Sequence, residues 1–296
     1  MAVSSDAVGR TPGRDRIGAS LARLRSAAWL GWLVEGNWAD PLLFAIYVVA
    51  RPLATSLILV AMYWAVRGHA THAAAFAGFY VASAFHAYVE RVVVGMGWAV
   101  FEEREEYETL KYVYASPIGM LTYLLGRSCV KFVLATISVV IVLGVGWFVL
   151  GVRWHWETVA WVPLLVTLAL GFASAVFFGF LLAGWALVLT RAAMIVIEGA
   201  TLALFLLSGV IFPLDLLPWP LRAISLALPF TWWYEAIRRF LLGHGSSALL
   251  GRLSAAELLG GLALVTVVFA IVSHRGFRAF EHRARRLGRI DQTTLF

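Results

Sequence analysis

Residues 120–150 read MLTYLLGRSCVKFVLATISVVIVLGVGWFVL, and only Arg127 and Lys131 in that stretch are charged. A helix needs about 20 apolar residues to cross the hydrocarbon of a bilayer, so this run is long enough to span. It is continuously apolar, whereas a strand of a membrane barrel alternates apolar and polar residues over about ten positions. The stretch predicts a membrane helix. Comparable runs at 43–66, 75–100, 159–190, 193–212 and 256–274 predict five more. The expected fold class is an all-α integral membrane protein with six transmembrane helices.

Composition agrees. Of 296 residues, 61% are hydrophobic and 14% charged, with a mean hydropathy of +0.82. An ordinary soluble domain is about half apolar and about a quarter charged, and surface-to-volume scaling limits how much apolar side chain a core of this size can hide. A soluble enzyme and a disordered chain are both excluded. Cys129 is the single cysteine, so no intrachain disulfide or thiolate metal cluster can form, and it reads as a small buried hydrophobe. The net charge of +7 is almost wholly arginine, Lys111 and Lys131 being the only lysines. In a membrane protein such a balance marks cytoplasmic flanks and anionic lipid; no nucleic-acid partner is expected.

Positive residues near span ends set direction. With both termini inside, fourteen lysines and arginines fall on cytoplasmic segments and six on outer ones, which favours that orientation in a bacterial inner membrane. Residues 1–40 show no cleavable signal; they read as a polar tail followed by an amphipathic helix over 17–38. Arg14, Arg16, Arg23 and Arg25 cluster at its start, and Trp29, Trp32 and Trp38 suit the headgroup layer. The chain thus divides into a cytoplasmic tail and interfacial helix (1–40), a transmembrane domain (41–275) and a basic cytoplasmic tail (276–296).

Two connections carry more than loop character. Residues 101–117, FEEREEYETLKYVYASP, hold five of the 17 acids. Everything from Phe101 to Ser116 tolerates a helix, which Pro117 then interrupts. On it Tyr107, Leu110, Val113 and Tyr114 share one face and the glutamates another, the form of a helix that docks in a partner's groove; a solvated loop reads equally well from spacing alone. The second connection begins Ser208-Gly-Val-Ile-Phe-Pro213 and runs through Pro218, Pro220 and Pro229 to Gly243. It is too apolar for a solvated loop and too broken by proline to span. Non-helical backbone at membrane depth survives only inside protein or beside a watery cavity, so an outer re-entrant pair of short helices is expected over about 213–243.

With these parts in this order the chain resembles the ABC-2 permease family of ATP-binding cassette exporters, which includes the nodulation-factor, daunorubicin and polysaccharide export permeases. The resemblance rests on the amino-terminal amphipathic helix, the acidic segment closing in Ala115-Ser116-Pro117, and the run from Ser208-Gly209 and Phe212-Pro213 through Leu217-Pro218 and Leu228-Pro229 to Arg238-Arg239 and Leu242-Gly243. It implies two permease subunits, a second copy or a paralogue, paired with two cassette ATPases that bind ATP and Mg. It also implies that 101–117 is the coupling helix. There Glu102, Glu103, Arg104, Glu105 and Glu106 would form the electrostatic contact, with Tyr107 and Leu110 as the apolar anchor. Phe212, Pro213, Pro218 and Pro229 would belong to an outer gate, and substrate contacts would fall on the first, second and fifth spans.

The residues themselves add limits. A phosphate-cradling loop needs Gly-Lys-Ser/Thr, and both lysines lack that setting, so no cofactor is expected on this chain and hydrolysis belongs to another. His69 and His72 are too few for a metal site, and neither His-Glu-x-x-His nor Gly-x-Ser-x-Gly occurs. A membrane-embedded enzyme on lipid-linked substrates, the rival from another class, would need an acid–base constellation that the scattered His and Glu do not make. Intramembrane charges default to function. Glu90 and Arg91, with His86 one turn earlier, and Glu198 are candidates for the pathway or the permease–permease interface; Arg51 reads as snorkelling to the inner interface. Trp185 reads as core packing, and Gly144, Gly171, Gly179 and Gly184 as points of close helix approach. An amphipathic or lipid-like substrate is expected, with a polysaccharide or glycolipid as the alternative.

Overall fold

The structure is a computed structural model that describes residues 12–36, 41–67, 73–190 and 192–290. Their regular structure is helical, with no strand among the described residues. Helix α1 (Pro12–Gly36) precedes α2 (Pro41–Arg67) and α3 (Ala73–Tyr88). Helix α3 continues into a π-helical segment, Val89–Val94, and then into α4 (Gly95–Glu105). The short α5 (Leu110–Ala115) leads to α6 (Met120–Phe148), α7 (Trp161–Val188) and α8 (Ala193–Leu207). A 3-10 turn, Leu214–Leu216, then opens the run α9 (Trp219–Ala227), α10 (Pro229–Leu242), α11 (Ala248–Gly251) and α12 (Ala255–Arg286).

Three of these, α6, α7 and α12, are long and apolar enough to cross a membrane. At 1.5 Å per residue the 28 residues of α7 extend about 42 Å. Helix α8 is a shorter apolar helix, as is the 48–62 part of α2. Helix α12 starts on a capping box, Ser254 and Glu257 each accepting from the other's backbone N–H. It then runs unbroken past residue 275, so the expected basic tail begins as helix, with Phe277 and Ala284 buried.

Packing between these apolar helices rests on small residues and on a few hydroxyls. The α7–α12 pair is the most extensive. Gly184 lies against Phe277 and Phe280, Ser174 and Thr266 share a 2.8 Å hydrogen bond, and Ser273 donates to the Phe177 carbonyl. At Gly171 a Cβ would collide with the Trp233 indole. Gly144, expected to mark a close approach, has nothing near its Cβ position. Trp185, expected in the core, is 41% exposed and touches Phe280 edge-on.

Helix α1 is docked on protein. At Gly126 of α6 a Cβ would strike Ala27 and the backbone of Ala28, so the two helices meet at their main chains. The other side of α1 presents Leu21, Trp29, Leu30, Trp32 and Leu33 outward, the composition of an interfacial helix. In α2, Pro52 has no N–H to give the carbonyl of Val48, four residues back. The Ser138 hydroxyl of α6 donates to that carbonyl at 3.3 Å, so a neighbouring helix repairs the break.

The helix termini sort into two ends. One end gathers α1, residues 101–119, the start of α6 and the ends of α7 and α12. The opposite end gathers residues 149–160 and 208–254, with Ala160 N–H bonded to the Phe240 carbonyl. His69, His72 and Trp38, all weighed in the sequence, lie outside the described residues.

Candidate functional site

Near the first end, Arg127 is fully buried on α6. A guanidinium carries four terminal N–H bonds, and here they reach four partners. One terminal nitrogen, Nη1, donates to Glu103 at 2.9 Å and to the Tyr123 hydroxyl at 3.0 Å. The other, Nη2, donates to Glu35 at 2.9 Å and to Glu102 at 3.2 Å. Lys131, one turn further on, pairs with Glu35. The cluster ties α1, α4 and α6 together around one cation, and a buried charge needs such partners. Burial by itself would raise the Glu35 carboxyl, but Lys131 and Arg127 outweigh it and hold Glu35 below its ordinary 4.5. Glu102 goes the other way: burial raises it, with Glu35 adding to the effect and the two cations only partly opposing.

The cluster is also a wall between two hollows. On one side is a cavity of about 300 Å³, bounded by α1, α2, the end of α3, the π-helical segment, α4, α6 and α8. Four carboxylates (Glu35, Glu90, Glu102, Glu198) and three cations (Arg51, Arg91, Lys131) line it, beside Trp98 and Thr201. On the other side is a more apolar groove of about 760 Å³, where Leu30, Leu33 and Val34 of α1 face Tyr107, Tyr112 and Tyr123. Glu35 and Glu102 face the first hollow, Glu103 and Tyr123 the second, and Arg127 bonds to all four.

Of the intramembrane candidates, the structure brings Glu90, Arg91 and Glu198 to this one cavity. Glu90 and Arg91 sit in the π-helical segment, where an i to i+5 bond pattern re-aims side chains and where functional sites recur. Arg51 does not snorkel alone: it donates from α2 to Glu90 of the π-helical segment at 2.6 Å. Glu198 has no ionic or hydrogen-bond partner among the described residues. His86 lies elsewhere, buried against the Phe205 ring with Nδ1 2.9 Å from the Tyr234 hydroxyl. The sequence placed Arg127 and Lys131 one turn apart in a span but carried no sign of their carboxylate partners, because Glu35, Glu102 and Glu103 lie far from them along the chain.

The 101–117 segment departs from a continuous helix with an acidic outer face. Helix α4 ends at Glu105, a turn follows with Glu108 in the left-handed region (φ 52°), and α5 starts at Leu110. No glycine announces that turn. It is held by the Thr109 N–H on the Glu103 carbonyl at 2.8 Å and the Thr109 hydroxyl on the Glu103 carboxylate. Three of the five residues expected on the charged face are buried: Glu103, Arg104 and Glu105, at 4%, 2% and 3% exposure. Arg104 pairs with Glu105 at 2.7 Å and donates to the Ala186 carbonyl at 2.7 Å. It thus caps the last turn of α7, where cations are favoured. Leu110 is buried as well, whereas Glu106, Tyr107, Lys111 and Tyr112 are exposed.

At the opposite end the prolines start helices. Pro213 and Pro218 stand at the N-caps of the 3-10 turn and α9, and Pro229 is the first residue of α10, positions where a missing N–H costs nothing. Phe212 and Pro218 are exposed, Pro213 half-buried and Pro229 buried. Helix α10 is an almost wholly buried element, with Trp233 among Phe85, Tyr88 and Phe230. Arg238 holds the surrounding chain: it donates to the carbonyls of Gly78 (2.8 Å) and Gly209 (2.7 Å) and to the Ser246 hydroxyl (2.9 Å). Glu235, 3.7 Å from Arg238, accepts from the N–H groups of Ser246 and Ser247.

Long apolar helices around a charged cavity, with a folded plug at one end and a broken connection at the other, define a polytopic membrane protein of transporter type. The family of the ABC-2 type transporter matches residues 28–242, most of the chain. The protein belongs to that family and is a membrane permease component of an ABC transporter. No curated protein matches the chain.

Proposed function

We propose that this chain is the six-span permease subunit of an ATP-driven exporter in a bacterial inner membrane, with both termini cytoplasmic. The spans are α2, the continuous α3–π–α4 rod as far as residue 100, α6, α7, α8 and α12. The α9–α10 pair re-enters from the outside, and α1 lies at the cytoplasmic interface. Two permease subunits, a second copy or a paralogue, work with a separate cassette ATPase that binds ATP and Mg. The substrate is an amphipathic small molecule or lipid.

The observation that carries this reading is the charged cavity. Ionic side chains at this depth are expensive and mark solute pathways. Here seven of them meet on helices of an ABC-2 permease, next to the end of the molecule where residues 101–119 are placed. The exposed part of that connection, Glu106, Tyr107, Lys111 and Tyr112, makes the contact with the ATPase. The buried part, Glu103, Arg104 and Glu105, carries the motion inward to α6 and α7.

The test is reconstitution of the chain with its cognate cassette ATPase in liposomes. ATP-dependent movement of an amphiphile is expected, together with stimulation of ATP hydrolysis by the permease. Glu90→Gln is expected to lower flux by about tenfold, the effect of neutralising one charge in a low-dielectric site, while the complex still assembles. Assembly without any ATP-dependent flux would overturn the reading.

A further inference from the structure

The ionic groups of the cavity do not balance. Among the described residues four carboxylates line it against three cations. Adding the wall residues Arg127 and Glu103, one of each sign, leaves the same excess of one. Three of the four carboxylates are already matched: Glu35 with Lys131 and Arg127, Glu90 with Arg51, and Glu102 with Arg127; Arg91, the other cavity cation, has an interaction of its own outside these pairs. Glu198 is the remaining one. It stands on α8, a helix whose other residues are apolar or small, with Thr201 one turn further on and also lining the cavity. Its carboxylate is exposed at the cavity and so open to an incoming cation or donor.

We propose that the cavity binds the positively charged head of an amphiphile, an ammonium or guanidinium group, with Glu198 as the carboxylate that receives it and Thr201 beside it. The inference rests on the permease reading and specifies its substrate class. An anionic head entering the same space faces the excess negative charge and leaves Glu198 unmatched, so the cavity discriminates by charge. About 300 Å³ admits a trimethylammonium or guanidinium head.

Binding needs no ATPase, which separates this test from the previous one. The full chain in phosphatidylcholine nanodiscs, whose lipid has no net charge, is titrated with dodecyltrimethylammonium and with dodecyl sulfate, and binding to empty discs is subtracted. The wild type is expected to prefer the ammonium by about tenfold, the scale of one ion pair in a partly desolvated site. Glu198→Gln is expected to abolish the preference and Glu198→Asp to retain it. An ammonium amphiphile with a nitroxide on its head is expected to quench the emission component that Trp98→Phe removes. Equal affinity for the two heads in the wild type overturns the proposal, as does an undiminished preference in Glu198→Gln. A Glu198→Gln protein that changes its oligomeric state and keeps the preference also overturns it, and assigns Glu198 to a contact between subunits. ATP-dependent flux with no charge preference would leave the permease reading standing and remove only this one.

Discussion

At the scale of single residues, Arg127 is the side chain that organises the cluster, because three carboxylates and a hydroxyl from three helices meet on its guanidinium. Removing one member of such a set costs about 3–5 kcal/mol, most of it from the groups left uncompensated. Glu35 reports on the cluster through pH. Its carboxyl is held below 4.5 in the folded chain, so its contribution to stability is complete above that ordinary value. It is lost as pH falls through the lower folded value. Glu102, raised by burial, has the opposite slope. Thermal unfolding measured from pH 6 to pH 3 is therefore expected to show a steeper acid loss in the wild type than in Glu35→Gln, the difference opening below pH 4.5. Parallel curves would mean that Glu35 is not ion-paired. None of these roles follows from residue type: the sequence shows acids, and only their partners make one a strut and another an exposed contact.

At the scale of elements, the 101–117 connection shows how far periodicity reaches. Its residues all tolerate a helix, and an acidic outer face follows from spacing alone. The turn at 106–109 rotates α5 away from α4, turns Glu103 and Glu105 inward and leaves Glu106 and Tyr107, which is 51% exposed, outside. The two glutamates therefore separate in their effects. Glu105→Lys places a cation against Arg104 and is expected to lower the yield of folded protein, read as a fall in melting temperature and a decrease in monodisperse material. Glu106→Lys is expected to leave melting unchanged and to cut ATPase stimulation by about tenfold, the scale of one charge pair between proteins. Identical behaviour of the two variants would show that the turn does not persist in the complex. The proline-broken run at 208–243 was more legible, since its prolines fall at helix starts that the backbone geometry permits.

At the scale of the whole molecule, the two ends are built on one plan: a buried arginine gathers polar groups from separate elements. Arg127 does so beside the cavity and Arg238 at the far end, where it joins α3, α10 and the chain at Gly209. The plug formed by α10 is anchored through that residue. Arg238→Met is expected to cost about 3–5 kcal/mol, because Glu235 and two buried carbonyls are left without their partner. Proteolysis within 208–254 is expected to rise well before the rest of the chain unfolds. Cleavage that tracks global unfolding would show that the plug is held by apolar packing alone. The cavity is likewise a property of the assembly of helices, since its lining comes from α1, α2, the end of α3, the π-helical segment, α4, α6 and α8.

By itself the sequence determined the class of solvent this protein folds in, its helical architecture, the ABC-2 family and the two unusual connections, because length, hydropathy and proline placement act locally and survive in one dimension. The tertiary structure alone decided which charges meet. Arg51 finds Glu90 across 39 residues and Arg127 finds Glu35 across 92, distances over which sequence carries no pairing information. In a low-dielectric interior those meetings set the energy of every ionised group. Among the described carboxylates of the cavity, Glu198 is the one left over when they are made.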